Sequence, residues 1–149
     1  MKVLRITTQD TLAIRYKMLR QNIAPAKEDC YFDNDEEDNT FHLGAFTENT
    51  LASVASFYLE NNNQIEETVQ FRLRGMATLP KFQHQGLSSE LLKMAFPIIK
   101  QNMCNILWCH ARENAVGFYE KVGFKKTGDL FLVDKIGPHY LMILDLKDL

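Results

Sequence analysis

Between Met76 and Leu92 the chain reads MATLPKFQHQGLSSELL: a strand-like run that meets Pro80, a single glycine at 86, and then a leucine-rich helical pattern. A strand that ends in a glycine-containing turn and feeds a helix leaves the first N–H groups of that helix unpaired and aimed at one point. The partial positive charge of the helix start adds to them, and the missing side chain at Gly86 lets a phosphate oxygen approach the backbone. The stretch therefore predicts an anion site for a ligand that carries phosphate, although a QxxGxS spacing alone also suits an ordinary strand-to-helix turn. The chain has no GxxxxGK[ST] and no GxGxxG with a trailing acid, so P-loop nucleotide and dinucleotide sites drop out.

Working outward, Leu87, Leu91, Ala95 and Ile98 share one helical face, with Pro97 predicted to kink or shorten the end of the helix. Upstream, Thr68 to Leu79 is the most regular strand, with Val69, Phe71 and Leu73 alternating with Gln70, Arg72 and Arg74, until Gly75 interrupts it as a bulge would. Val3 to Ile6 reads as a strand and Thr8 to Arg20 as a helix capped by Thr8 or Asp10. Phe41 to Phe46 and Leu51 to Tyr58, split by TENT, form a hairpin. Downstream come a buried strand at Ile106 to Cys109, a short helix at Asn114 to Val122 closed by Gly123, and the strand pair Lys125 to Val133 and Tyr140 to Leu146. The tally of about seven strands and three or four helices in mixed order is an α+β pattern.

Composition narrows the function. A chain of 149 residues, 46% hydrophobic and 24% charged, fits one globular domain over 1–149. The formal net charge of −2 gives no footprint for nucleic acid, and neither a basic amphipathic helix nor a long apolar run argues for a membrane. With no apolar stretch of signal-peptide length, the expected location is cytoplasmic. Cys30, Cys104 and Cys109 lack CxxC spacing and read as reduced, idle thiols; a zinc site using Cys109 and His110 is the minor alternative, and no metal is expected. The acidic segment Asp33 to Asn39 lacks the glycine and glutamate of a calcium loop, having Asp38 and Gly44 at the sixth and twelfth positions. It reads as a solvated loop, or as a lip that draws in a cationic amine.

At this point two blocks resemble the GNAT superfamily of acetyl-CoA-dependent N-acetyltransferases. RGMATLPKFQHQGLSSELL is similar to that family's bulged strand, [RQ]xxGx[GA] turn and helix, here with Gln83, Gly86 and Ser88. LWCHARENAVGFYEKVGFKKTGD, Leu107 to Asp129, is similar to its following strand, helix and FYEKxGF segment. The resemblance implies a single domain with a mixed, mostly antiparallel seven-stranded sheet and a splayed strand pair that holds the cofactor. It implies that the pyrophosphate of acetyl-CoA sits on backbone N–H groups of Gln85, Gly86, Leu87 and Ser88, and that the pantetheine arm pairs with Met76, Ala77 and Thr78. Ser88 departs from the family's glycine or alanine. Arg112 stands where members often carry an asparagine, and either reaches a CoA phosphate or is solvated.

The resemblance also assigns Tyr119 as the donor of a proton to the departing thiolate; a phenol, protonated at neutral pH, suits that role. The attacking amine must be neutral, so a base is needed, and His139, Glu60 and His42 are the candidates, His139 first. The expected activity is N-acetylation of a primary amine, small molecule or peptide, by direct attack in a ternary complex. The alternative is a non-catalytic acyl-CoA-binding regulatory module. Edge strands near the C-terminal end allow a homodimer.

Overall fold

The computed structural model describes all 149 residues, Met1–Leu149. Seven strands hydrogen-bond in the order β1-β2-β3-β4-β5-β7-β6, and the chain divides into two compact units, Met1–Tyr58 with Leu73–Ile98 and Leu59–Arg72 with Ile99–Leu149. No helix is long and apolar enough to cross a membrane.

In the first unit, β1 (Lys2–Ile6) pairs antiparallel with β2 (Phe41–Thr47), and β2 with β3 (Thr50–Leu59). The TENT hairpin turns on Glu48 and Asn49 at φ 53° and 59°, the doubly left-handed two-residue loop whose twist matches its strands. Helix α1 (Thr8–Arg15) continues as a π turn through Tyr16–Arg20. Its cap is Thr7, one residue before the expected Thr8. The Thr7 hydroxyl accepts from the Asp10 N–H at 3.2 Å while the Asp10 carboxylate accepts from the Thr7 N–H at 3.0 Å. Thr8 is instead buried, and its hydroxyl donates to the Asp35 carbonyl.

Beneath α1 lies a buried ion pair. Arg15, 0% exposed, donates from Nη1 and Nη2 to the two carboxylate oxygens of Asp35 at 2.8 and 3.0 Å. Its Nη1 also reaches the Cys30 carbonyl, and its Nη2 reaches Ser56 Oγ and Tyr58 Oη. Asp35 accepts in addition from the Phe32 N–H and the Tyr58 hydroxyl. The acidic segment is therefore solvated only in part, since Asp35 is taken into the core by a guanidinium that needs a counter-charge. Burial pushes the Asp35 carboxyl up, but the hydrogen bonds from Arg15, Tyr58 and Phe32 outweigh it and hold the group below its ordinary value.

The strand β4 (Phe71–Thr78) begins later than expected. Val69 is 41% exposed and Gln70 is buried, the reverse of the simple alternation. The amide of Gln70 explains it: Nε2 donates to the Ile65 and Glu67 carbonyls at 3.2 and 2.7 Å, and Oε1 accepts from the Asn62 N–H at 2.7 Å, so the side chain closes the loop before the strand. Helix α2 (Leu87–Gln101) buries Leu87, Leu91, Leu92 and Ala95, but its fourth turn is closed by Ile99, with Ile98 only half-buried. Pro97 lies on the exposed side and the helix continues past it, so the expected shortening does not occur.

In the second unit, β4 and β5 (Ile106–Arg112) are parallel, with Phe71 opposite Leu107 and Arg72 opposite Trp108. Beyond that register β4 runs on through Gly75 to Thr78 and β5 to Arg112. The helix α3 (Val116–Val122) follows a 3-10 turn at Glu113–Ala115 and ends on Gly123 at φ 122°. β6 (Lys125–Val133) pairs antiparallel with β7 (Gly137–Asp145), which pairs antiparallel with β5.

The ion pair generates a stability prediction. Arg15→Met leaves the Asp35 charge buried without a partner and is expected to cost about 3–5 kcal/mol, with the double substitution Arg15→Met/Asp35→Leu recovering most of it in denaturant titrations. Because the folded carboxyl is held low, its contribution is present above the ordinary carboxylate value of about 3.9 and is lost as pH falls below it, so Asp35→Asn should blunt the acid limb of stability.

Candidate active site

The Met76–Leu92 stretch folds as its composition dictates. Gly75 sits at φ 64°, the left-handed conformation of a glycine bulge, and a side chain there would meet Phe32 Cε2 at 2.9 Å and Arg15 Nε at 3.3 Å. After β4, Pro80–Phe82 forms a 3-10 turn, and His84 and Gly86 follow at φ 63° and 81°. Gly86 is required by that conformation and not by crowding: a Cβ built on it meets no atom within 4 Å. The space over the turn is thus open at the start of a 15-residue helix, which is what a bound phosphate needs.

Three hydroxyls tie this turn to the strands. Ser53 Oγ donates to the Ala77 carbonyl at 3.2 Å and lies 2.7 Å from Thr78 Oγ1, which lies 3.3 Å from Ser88 Oγ. With the Ser53 proton on the carbonyl, Thr78 must donate to Ser53, which leaves Ser88 as the donor of the last and weakest contact. Gln83 Nε2 donates to the Thr78 carbonyl at 3.1 Å and Gln85 Nε2 to the Lys81 carbonyl at 3.4 Å, so both glutamines brace the loop through their side chains. Ser53 has no sequence signal of its own, because nothing in a hairpin strand marks a hydroxyl for the end of a distant strand.

The second unit holds the other candidates. Tyr119 is 9% exposed, edge-on to Phe118 and Phe124 at centroid distances of 5.3 and 5.2 Å. Burial, and then the neighbouring Cys109, raise its phenol well above the ordinary value of 10.0, so it stays protonated through the neutral range. Cys109 is itself buried and its thiol pushed up by that burial.

Side chains alternate along a strand, so Trp108, His110 and Arg112 occupy the face of β5 opposite to Cys109. His139 stands across from Arg112 on β7 and across from Phe131 on β6, within the strand and not before it, on that same face. Tyr119 and His139 are thus served by opposite faces of β5–β7–β6. His139 is 6% exposed and its Nδ1 donates to the Gly137 carbonyl at 2.8 Å, which in the neutral ring makes Nε2 the nitrogen with the lone pair. Arg112 is half-buried, and burial lowers its guanidinium from its ordinary value.

Glu60 Oε2 accepts from Arg72 Nη1 at 2.8 Å, and the Glu60 carbonyl accepts from Trp108 Nε1 at 2.9 Å, with the Arg72 guanidinium 4.8 Å from the Trp108 ring. Its carboxylate is already committed to an ion pair. His42 is fully engaged: Nε2 donates to the Asp35 carbonyl at 3.1 Å, which leaves Nδ1 to accept from Ser56 Oγ at 2.7 Å. Burial lowers its pKa below the ordinary 6.5, and with both nitrogens used it is a structural histidine and no base.

A family model described as an Acetyltransferase (GNAT) domain matches residues 12–145. The chain is 35% identical over 147 residues to an uncharacterized N-acetyltransferase, YitI, of Bacillus subtilis, across 99% of this chain and 97% of the relative. Among solved structures, an acyl-CoA N-acyltransferase from Pseudomonas aeruginosa superposes with a TM-score of 0.65 at 16% identity, covering 96% of this chain and 98% of that one. An aminoglycoside 6'-N-acetyltransferase complexed with coenzyme A gives a TM-score of 0.76 at 10% identity, covering 98% and 97%. At such identities the structures establish the shared fold. The match over 12–145 and the full-length relative establish more: this chain belongs to the GNAT acetyltransferase family and is an acyltransferase.

Proposed function

We propose that residues 1–149 act as one catalytic domain that moves the acetyl group of acetyl-CoA to a primary amine by direct attack, and that it works in the cytoplasm. The observation that carries this reading is the left-handed Gly86 turn, open above and feeding a 15-residue helix, directly after a strand interrupted at Gly75. Backbone N–H groups of Gln85 to Ser88 receive the pyrophosphate, with Gln83 bracing the loop. Ser88 adds a hydroxyl that turns from its 3.3 Å contact with Thr78 to a phosphate oxygen. The backbone of Met76, Ala77 and Thr78 pairs with the pantetheine arm, and Arg112 supplies positive charge toward the CoA phosphates.

Acetyl-CoA supplies an acyl group activated as a thioester. His139 Nε2 takes a proton from the amine nitrogen, which forms the new C–N bond as the C–S bond breaks. Tyr119 gives its phenolic proton to the thiolate and is reprotonated from solvent. Because Tyr119 and His139 lie on opposite faces of this sheet segment, the amine proton reaches His139 through water and not by direct contact. Glu60 is the less suited base because Arg72 holds it.

Tyr119→Phe is expected to lower kcat about a hundredfold while acetyl-CoA affinity by calorimetry stays within about threefold, as loss of a general acid requires. His139→Gln is expected to lower kcat at least about tenfold while acetyl-CoA affinity by calorimetry stays within about threefold, as loss of a general base requires. For the turn, Gly86→Glu should weaken acetyl-CoA binding at least about tenfold more than Gly86→Asn. Both strain the same left-handed backbone, so equal losses would assign the effect to strain and remove the anion site.

A further inference from the structure

Ser53 lies in β3, 0% exposed, between the equally buried and apolar Ala52 and Val54. An alanine would pack there as well, and a hydroxyl taken out of water needs partners. Ser53 Oγ finds them at the end of β4, where it donates to the Ala77 carbonyl at 3.2 Å and lies 2.7 Å from Thr78 Oγ1. The backbone joins the two strands at the same place, for the Leu79 N–H donates to the Ala52 carbonyl at 2.9 Å. We propose that Ser53 is a positioning residue for acetyl-CoA. It acts through Thr78 and Ser88 to fix the distance between the strand end that takes the pantetheine arm and the turn that takes the pyrophosphate. The inference rests on the cofactor placement proposed above.

Thr78 is the joint between the two. Its hydroxyl lies 3.3 Å from Ser88 Oγ in the first turn of α2, and its carbonyl accepts from Gln83 Nε2 at 3.1 Å, so the last residue of β4 is bonded to the turn through side chain and backbone alike. The Ser53 contact is the shorter of the two that the Thr78 hydroxyl makes, and it holds the half-buried side chain in one rotamer. Without it, Thr78 keeps only the weak contact to Ser88.

A chain of hydroxyls suits this task because each member both donates and accepts. With no anion present, the protons run from Ser88 through Thr78 and Ser53 to the Ala77 carbonyl. When Ser88 turns its proton to a phosphate oxygen, Thr78 can donate to Ser88 and Ser53 to Thr78, giving up only the 3.2 Å contact to Ala77. The three oxygens then stay in place and only hydrogens rotate. A ligand with contacts at both ends gains over its halves when the span between its subsites is already set. Acetyl-CoA is such a ligand, and this chain sets its span.

Calorimetry with two ligands tests the assignment: acetyl-CoA, which spans both subsites, and 3'-phospho-ADP, the part of CoA that ends at the pyrophosphate. Ser53→Ala is expected to weaken acetyl-CoA about fivefold, as loss of one hydrogen bond does, and 3'-phospho-ADP by less than about twofold. In a Ser88→Ala background Ser53→Ala should cost nothing further, because no hydroxyl is left to receive what Ser53 transmits. Thr78→Val should reproduce the loss and Thr78→Ser should stay within about twofold of the wild type, and this pair carries the test if Ser53→Ala does not fold. Unchanged acetyl-CoA affinity in Ser53→Ala or Thr78→Val, equal losses for both ligands, or a Ser53→Ala cost that persists without the Ser88 hydroxyl each overturns the positioning role and leaves cofactor binding standing. A wild-type protein that leaves either ligand unbound overturns the cofactor placement at the turn, and the positioning role with it.

Discussion

The pairing of Arg15 with Asp35 is the constraint on which the first unit depends. A guanidinium with no solvent exposure demands a counter-charge and a full set of acceptors, and the chain supplies them from three places: the loop after α1, the strand β3 through Ser56 and Tyr58, and the carbonyl of Cys30. The same pair determines where Phe32 lies, because the Phe32 N–H is one of the donors that Asp35 accepts. Phe32 in turn packs on Gly75, so an electrostatic requirement in the core reaches the bulge of β4.

Around that anchor, polar groups are used in chains and not singly. Thr8, His42 and Ser56 extend the Arg15 network to the base of α1, with burial keeping His42 neutral and able to accept and donate at once. Ser53, Thr78 and Ser88 do the same work for the turn that opens α2. In the second unit burial and one carbonyl define two side chains: a phenol raised by desolvation holds its proton, and a histidine fixed by the Gly137 carbonyl has one nitrogen left to accept.

Local rules made some features readable. The TENT loop needed two left-handed residues and has them at Glu48 and Asn49; Gly123 closes α3; Gly75 interrupts β4. Elsewhere a contact distant in sequence decided. Gln70 looks solvent-facing by alternation, but its amide closes the loop at Ile65 and Glu67, and Val69 is displaced outward. Asp35 looks like one acid among several until Arg15 selects it. His42 looks like a possible base until the Asp35 carbonyl and Ser56 take both nitrogens.

The sequence by itself determined the element types, the glycine turn before α2 and the family, because glycine conformations, apolar periodicity and the [RQ]xxGx[GA] and FYEKxGF patterns are local in the chain. Only the tertiary structure decided which acid is buried, which histidine keeps a lone pair, and that three arginines meet on Phe32. The buried acid is chosen by Arg15, 20 residues from Asp35, the roles of His42 by Ser56 on another strand, and the arginine cluster by Phe32 meeting Arg15 and Arg74; hydrogen-bond capacity is shared out only once those groups meet.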